Sequence, residues 1–203
     1  MMKKFAIIIV LIFLSCQMNA QSNWKFFWKQ SAPHKMWAIF HPCKAKRASK
    51  ISFEATRVSD SIAKTDLLDQ DKAGGQADAF RHAYWMARLH QEIGKCAAIS
   101  LGNAHEKDNY KIFKKNKTEN GIVPDKASKE MDLFNNNVGL GFTQKGTSVA
   151  RNEMINQIVN AILKGDLKVI KKDSLGNFLT CDGEIIPPAA LGHSWQNNKC
   201  LVP

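Results

Sequence analysis

Residues 76–93, QADAFRHAYWMARLHQEI, set the strongest constraint on what this chain can fold into. Ala79, Ala83, Met86, Leu89 and Ile93 recur at three- and four-residue intervals, which puts them on one stripe of an α-helix. Gly94 follows as a stop signal. His82 lies on the same stripe, one turn after Asp78 and shortly before Trp85. An imidazole on a packing face needs a hydrogen-bond partner, because burying it bare is costly. Asp78 is the nearest carboxylate along the chain, since side chains at i and i+4 meet. This helix therefore faces a core that has room for polar groups.

Two later segments repeat the pattern. LGNAHEKDNY sets His105 and Glu106 beside Ala104, with Asn109 four residues after His105. SKEMDLFNNNVG sets Asp132 and Asn136 four apart, with Met131, Phe134 and Val138 on the apolar side. Three helices that each carry a polar pair at one-turn spacing point to one shared site. A metal reading makes His82, His105 and Asp132 ligands of a divalent ion such as zinc, with Glu106 as general base. The spacing is not H-E-x-x-H, so no standard zinc motif supports it. A metal-free reading makes His82 a general base oriented by Asp78. Arg81, Asn136 and Arg151 then form the substrate-binding set, the arginines for an anionic group such as phosphate. The structural rival is a fully satisfied polar network that specifies helix packing.

The blocks Asp78-Ala79-Phe80-Arg81-His82-Ala83-Tyr84-Trp85, Ala104-His105-Glu106 and Met131-Asp132-Leu133-Phe134-Asn135-Asn136 resemble the signatures of a bacterial domain-of-unknown-function family. That family recurs in exported proteins and as a C-terminal module of some polymorphic toxins. The resemblance covers roughly residues 50–180. It implies a mostly helical domain with no assigned activity. It places functional weight on Asp78, Arg81, His82, His105, Glu106, Asp132 and Asn136. The chain departs from the pattern at Phe134, where a polar residue, often histidine, is expected.

Further helices are expected at 52–68, 96–109, 124–138 and 147–163. Ser52 and Thr147 are candidate caps, Pro124 a first-turn residue, and Gly139 and Gly165 stops. Phe53, Val58, Ile62 and Leu67 would form the apolar stripe of the first. Residues 167–171 and 178–180 are strand-like and flank a turn, so a small hairpin is expected there. The fold class is mainly α, a compact helical domain of about five helices with a small C-terminal β-hairpin. The expected division is 1–20 signal peptide, 21–50 aromatic-basic N-terminal arm, 51–165 helical domain carrying the polar site, and 166–203 hairpin and tail.

The signal-peptide reading rests on Lys3 and Lys4 before an apolar run from Phe5 to Leu14, too short to span a bilayer, and on Ala20 as a cleavage site. The expected location is periplasmic or secreted. The alternative is a lipoprotein acylated at Cys16. The chain is strongly basic, with 29 Lys and Arg against 18 Asp and Glu and a net charge of +11. That charge favours an anionic substrate or a membrane surface. Trp24, Phe26, Phe27, Trp28, Trp37 and Phe40 alternate with lysines in the arm. Nucleic acid is not the expected partner. No glycine-rich phosphate loop or G-x-S-x-G elbow is present, so Ser194 is read as tail structure. Cys43, Cys96, Cys181 and Cys200 remain after a cut at Ala20, and an even number in an exported chain suggests two disulfides. Four cysteines allow three connectivities; Cys43–Cys96 with Cys181–Cys200 is the expected one, because the second pair would close a short tail loop. The function expected from sequence is hydrolysis of a phosphate-containing or cell-envelope substrate at the His/Asp/Glu site, against a non-enzymatic envelope or binding role.

Overall fold

The computed structural model describes residues 29–119 and 121–203. The expected signal peptide, Cys16, Trp24, Phe26, Phe27 and Trp28 lie outside them. Among the described residues there are six α-helices: α1 Ala32–Phe40, α2 Pro42–Ile62, α3 Gln76–Ile93, α4 Lys95–Lys114, α5 Lys126–Gly139 and α6 Arg151–Leu163. A two-stranded antiparallel sheet joins β1 Val169–Ile170 to β2 Leu201–Val202. No helix among the described residues is long and apolar enough to cross a membrane.

The helix α3 has the bounds its sequence predicts, and Gly94 ends it at φ +87°. Its start is held from outside: the Asp69 carboxylate accepts from Gln76 N at 2.7 Å and Ala77 N at 3.2 Å, satisfying two N-terminal donors. The apolar stripe understates its burial. Phe80, Tyr84, Met86 and Leu89 are all fully enclosed, and none of its residues is exposed. The reason is that α3 packs against α2, α4, α5 and α6 at once and forms the axis of the domain. Each such large side chain contributes about 1.5–3 kcal/mol by leaving water. Polar ends are partnered: Tyr84 Oη donates to Glu54 at 2.7 Å, and Trp85 Nε1 donates to Ser52 Oγ at 3.0 Å.

Three helix starts differ from expectation. The helix expected from Ser52 begins ten residues earlier at Pro42, so the division at 50/51 falls inside α2. Pro42 cannot continue α1 but is well placed in a first turn, and this makes the break. Ser52 sits in mid-helix, and Phe53 and Leu67 are exposed, while Val58 and Ile62 are buried. Pro124 lies outside α5; its cap is Asp125, which accepts from Ser128 N at 2.8 Å. Thr147 closes a turn with Gln144 rather than capping α6. The helix α4 also runs five residues beyond Asn109, through part of the lysine-rich stretch.

In the tail, β1 pairs with the last residues of the chain, and the expected hairpin persists as a single Lys172–Phe178 bridge. Cys181–Cys200 is formed and ties that segment to β2. Cys43–Cys96 is not: both cysteines are free and exposed, on α2 and α4. Trp37 from the aromatic arm is buried on α4, donating to Ala97 O and Ser100 Oγ, whereas Phe40 is exposed.

Candidate functional site

The site forms where α3, α4 and α5 meet. Asp78, Arg81 and His82 come from α3, His105, Glu106 and Asn109 from α4, and Asp132 and Asn136 from α5. One-turn spacing aims each pair inward. The approach of α3 to α5 depends on Gly139. A Cβ there would stand 2.4 Å from Ala83 O and 2.7 Å from Ala83 Cα. Gly102 on α4 likewise leaves room for Asn136 Nδ2, which a Cβ would meet at 3.3 Å.

The carboxylate beside His82 is Asp132 and not Asp78. His82 Nε2 is 3.2 Å from Asp132 Oδ1 and 3.8 Å from Asp78 Oδ1. Asp78 is committed elsewhere. Its Oδ1 accepts from Arg81 Nε at 3.1 Å and Nη2 at 2.7 Å, and its Oδ2 accepts from Gly74 N at 2.9 Å. A two-pronged charge-assisted bond to a guanidinium outcompetes a neutral imidazole.

The tautomer of His82 follows from its neighbours. Arg81 Nη2 lies 2.9 Å from His82 Nε2, and a guanidinium only donates, so Nε2 accepts. The proton is then on Nδ1, which donates to Asn136 Oδ1 at 3.2 Å. Nε2 therefore has no proton to give Asp132 Oδ1, 3.2 Å away, so that oxygen is satisfied only by a proton of its own or by a cation. His105 Nε2 lies 3.4 Å from Glu119 Oε1 without hydrogen-bond geometry. The ligand-type atoms of His82, His105 and Asp132 all fall within 4.8 Å of one another.

Several buried atoms here lack a hydrogen-bond partner: His105 Nε2, Asp132 Oδ1, both Glu106 oxygens, Asn109 Oδ1 and Asn136 Nδ2. Such atoms in a native core need an explanation. Electrostatics agrees. Burial pushes the Asp132 carboxyl well above its ordinary range, and the charges of Asp78, Glu106 and Glu119 outweigh the relief from Arg81. Burial, with Glu119, pushes Glu106 up to about 8. Burial, then Arg81 and His34, pushes His105 down to about 3, and burial with Arg81 and His105 lowers His82 strongly. Four carboxyl groups thus surround a single guanidinium.

Two cavities reach this cluster. A cleft of about 890 Å³ between α1, α2, α3 and α4 has Arg81, His82 and His105 in its wall, beside Trp37 and Trp85. A small cavity of about 30 Å³ on the other side is lined by Asp78, Arg81, Glu119 and Asp132. Glu106 lines neither. Arg151 is not brought to the site. It lies on α6, 3.5 Å from Glu54, and lines neither cavity. Phe134 turns outward under Lys168 Nζ, and Asn135 clamps the Lys168 backbone with bonds of 2.8 and 2.9 Å, a structural task. Sequence reasoning missed Glu119, which reaches the site from a loop and carries no periodic signal. It also missed His34, whose ring centroid is 6.2 Å from that of His105.

Fold and site together define a mainly helical domain with a buried His/Asp cluster at the wall of a cleft. Residues 35–166 match the family described as Domain of unknown function (DUF6973), and the chain belongs to that family. No curated protein and no solved structure matches the chain.

Proposed function

We propose that this protein is an exported, metal-assisted hydrolase of a phosphate-containing or cell-envelope substrate. The observation that carries the reading is the convergence of His82, His105 and Asp132, with His105 Nε2 and Asp132 Oδ1 left without hydrogen-bond partners in the core. Two imidazoles and a carboxylate suit zinc. Bonds of 2.0–2.2 Å in a tetrahedron separate ligand atoms by roughly 3.4 Å, close to the 3.2 Å between His82 Nε2 and Asp132 Oδ1. Zinc at such a site would supply an activated water near neutral pH. Asn136 holds the His82 tautomer whose Nε2 carries no proton, and a metal there would take the place of the Arg81 Nη2 contact. The two imidazoles border the cleft, so substrate has a route to them. Arg81, between Asp78 and the cleft, would hold the anionic group. Glu106 stands behind the cluster with both oxygens unpartnered, and a cation nearby would favour its ionised form.

The contact of Arg81 Nη2 with His82 Nε2 favours a second, metal-free reading, in which His82 is a general base beside Asp132 and Arg81 grips phosphate. Metal analysis of tag-free protein separates the two. The metal reading expects close to one zinc per chain, lost in His82→Ala with the helical circular dichroism retained. Metal-free protein that stays metal-free after incubation with zinc refutes it and selects the second.

A further inference from the structure

The cleft beside the site has a composition that narrows its ligand. Ala38, Ala45, Ala48, Ala55 and Leu101 give it an apolar interior, together with the two tryptophans already named. Its polar lining includes Lys46, Lys50, Arg81 and three histidines, and not one Asp or Glu. That is notable because a dense group of carboxyls lies directly behind the same wall, turned away from the cleft. A volume of about 890 Å³ is within the range that encloses a small ligand. The rim carries the pattern of a surface that meets lipid. Ile39 is 56% and Phe53 66% exposed, Met36 and Phe40 project from the same short helix as Ile39, and Lys46 and Lys50 are exposed on α2. Apolar side chains that enter an acyl layer, flanked by lysines at headgroup level, are how a helix rests on an anionic bilayer.

We infer that the cleft binds an acyl chain of an anionic bilayer phospholipid, with Ile39 and Phe53 at the entrance and Lys46 and Lys50 on the neighbouring phosphates. That the lipid is the substrate rests on the hydrolytic reading above; its binding does not. The opposite signs of cleft and lipid argue for this occupant over a neutral or cationic one.

The full chain is mixed with vesicles of phosphatidylcholine alone and of phosphatidylcholine with phosphatidylglycerol, and with cis-parinaric acid, whose fluorescence reports entry of a fatty chain. Expected are sedimentation with the phosphatidylglycerol vesicles only, weakened by salt, and uptake of parinaric acid. Lys46→Ala with Lys50→Ala lowers vesicle partition about 25-fold, fivefold for each lysine. Ala45→Trp fills the cleft and abolishes parinaric acid uptake while vesicle binding remains; Ser49→Trp serves if the first variant loses its helical circular dichroism. Zinc content is measured on the same samples, so loss of the metal reading and loss of the lipid reading are separate results. Uptake unchanged by the filled cleft overturns the inference, as does uptake without vesicle binding. A dimer in sedimentation equilibrium, or uptake only after deletion of residues 21–28, overturns it in favour of a second copy or of the chain's own aromatic segment. Binding of an oligonucleotide without lipid overturns it in favour of nucleic acid.

Discussion

Gly139→Ala is the most informative single methyl group that can be added to this protein. The Cβ it introduces would lie 2.4 Å from Ala83 O, 2.7 Å from Ala83 Cα and 2.9 Å from Ala83 C. All three are backbone atoms of the central helix, so no rotamer relieves the clash. Ordinary contact begins at 3.4 Å, so α3 and α5 must separate by about 1 Å at this crossing. Overpacking of that kind costs about 1–3 kcal/mol. Alanine recovers up to ~1 kcal/mol as the better helix former, less at a helix end. With about half of that gain realised, the net loss is about 0.5–2.5 kcal/mol, or a fall in Tm of about 1–10 °C for a domain of this size. The same shift lengthens the 3.2 Å contacts of His82 with Asp132 and Asn136, since Ala83 adjoins His82 and Gly139 ends the helix that carries both partners. Thermal unfolding by circular dichroism, paired with zinc titration, measures both effects. Gly141→Ala is the control, because its Cβ would meet nothing within 4 Å. A Gly139→Ala variant as stable as the parent, with unchanged zinc affinity, would refute the claim that this crossing distance builds the site.

Asn136→Leu removes the acceptor that fixes the His82 tautomer; zinc affinity should fall about 10–100-fold, and unaltered affinity would show that another group orients the ring. Alkylation before reduction should label Cys43 and Cys96 but not Cys181 or Cys200, as read by peptide mass spectrometry. Reducing Cys181–Cys200, which spans 19 residues, should cost about 3 kcal/mol in loop-closure entropy, seen as a lower Tm. Acid should weaken the fold through Asp125. Burial opposes its charge, but Lys199, Ser128 and Asn197 more than offset this and hold the carboxyl below its ordinary range. A depressed folded-state value means stability present at neutral pH and lost as pH falls below about 4. Asp125→Asn should therefore be less stable than the parent at pH 7 and nearly equal to it at low pH in urea unfolding; an equal deficit at both would exclude this ion pair as the cause.

The sequence by itself determined the bounds of α3, the inward turn of His82, and the three polar pairs that share one site. Those features are local: helical spacing decides which side chains align, and a glycine with positive φ decides where a helix stops. The strong positive charge and the Cys181–Cys200 pairing were legible for the same reason, since one needs only counting and the other only a short loop. Tertiary structure decided what depends on distances between helices. It brought Asp132 rather than Asp78 to His82, because Arg81 claims Asp78 and Gly139 lets α5 come close. It sent Arg151 to Glu54, left Cys43 and Cys96 unpaired on separate helices, and supplied Glu119 from a loop. It paired β1 with the end of the chain instead of with its sequence neighbour. Periodicity says which face of a helix is inside. It does not say which other helix that face meets, and in this protein the meeting of α3, α4 and α5 is what makes the site.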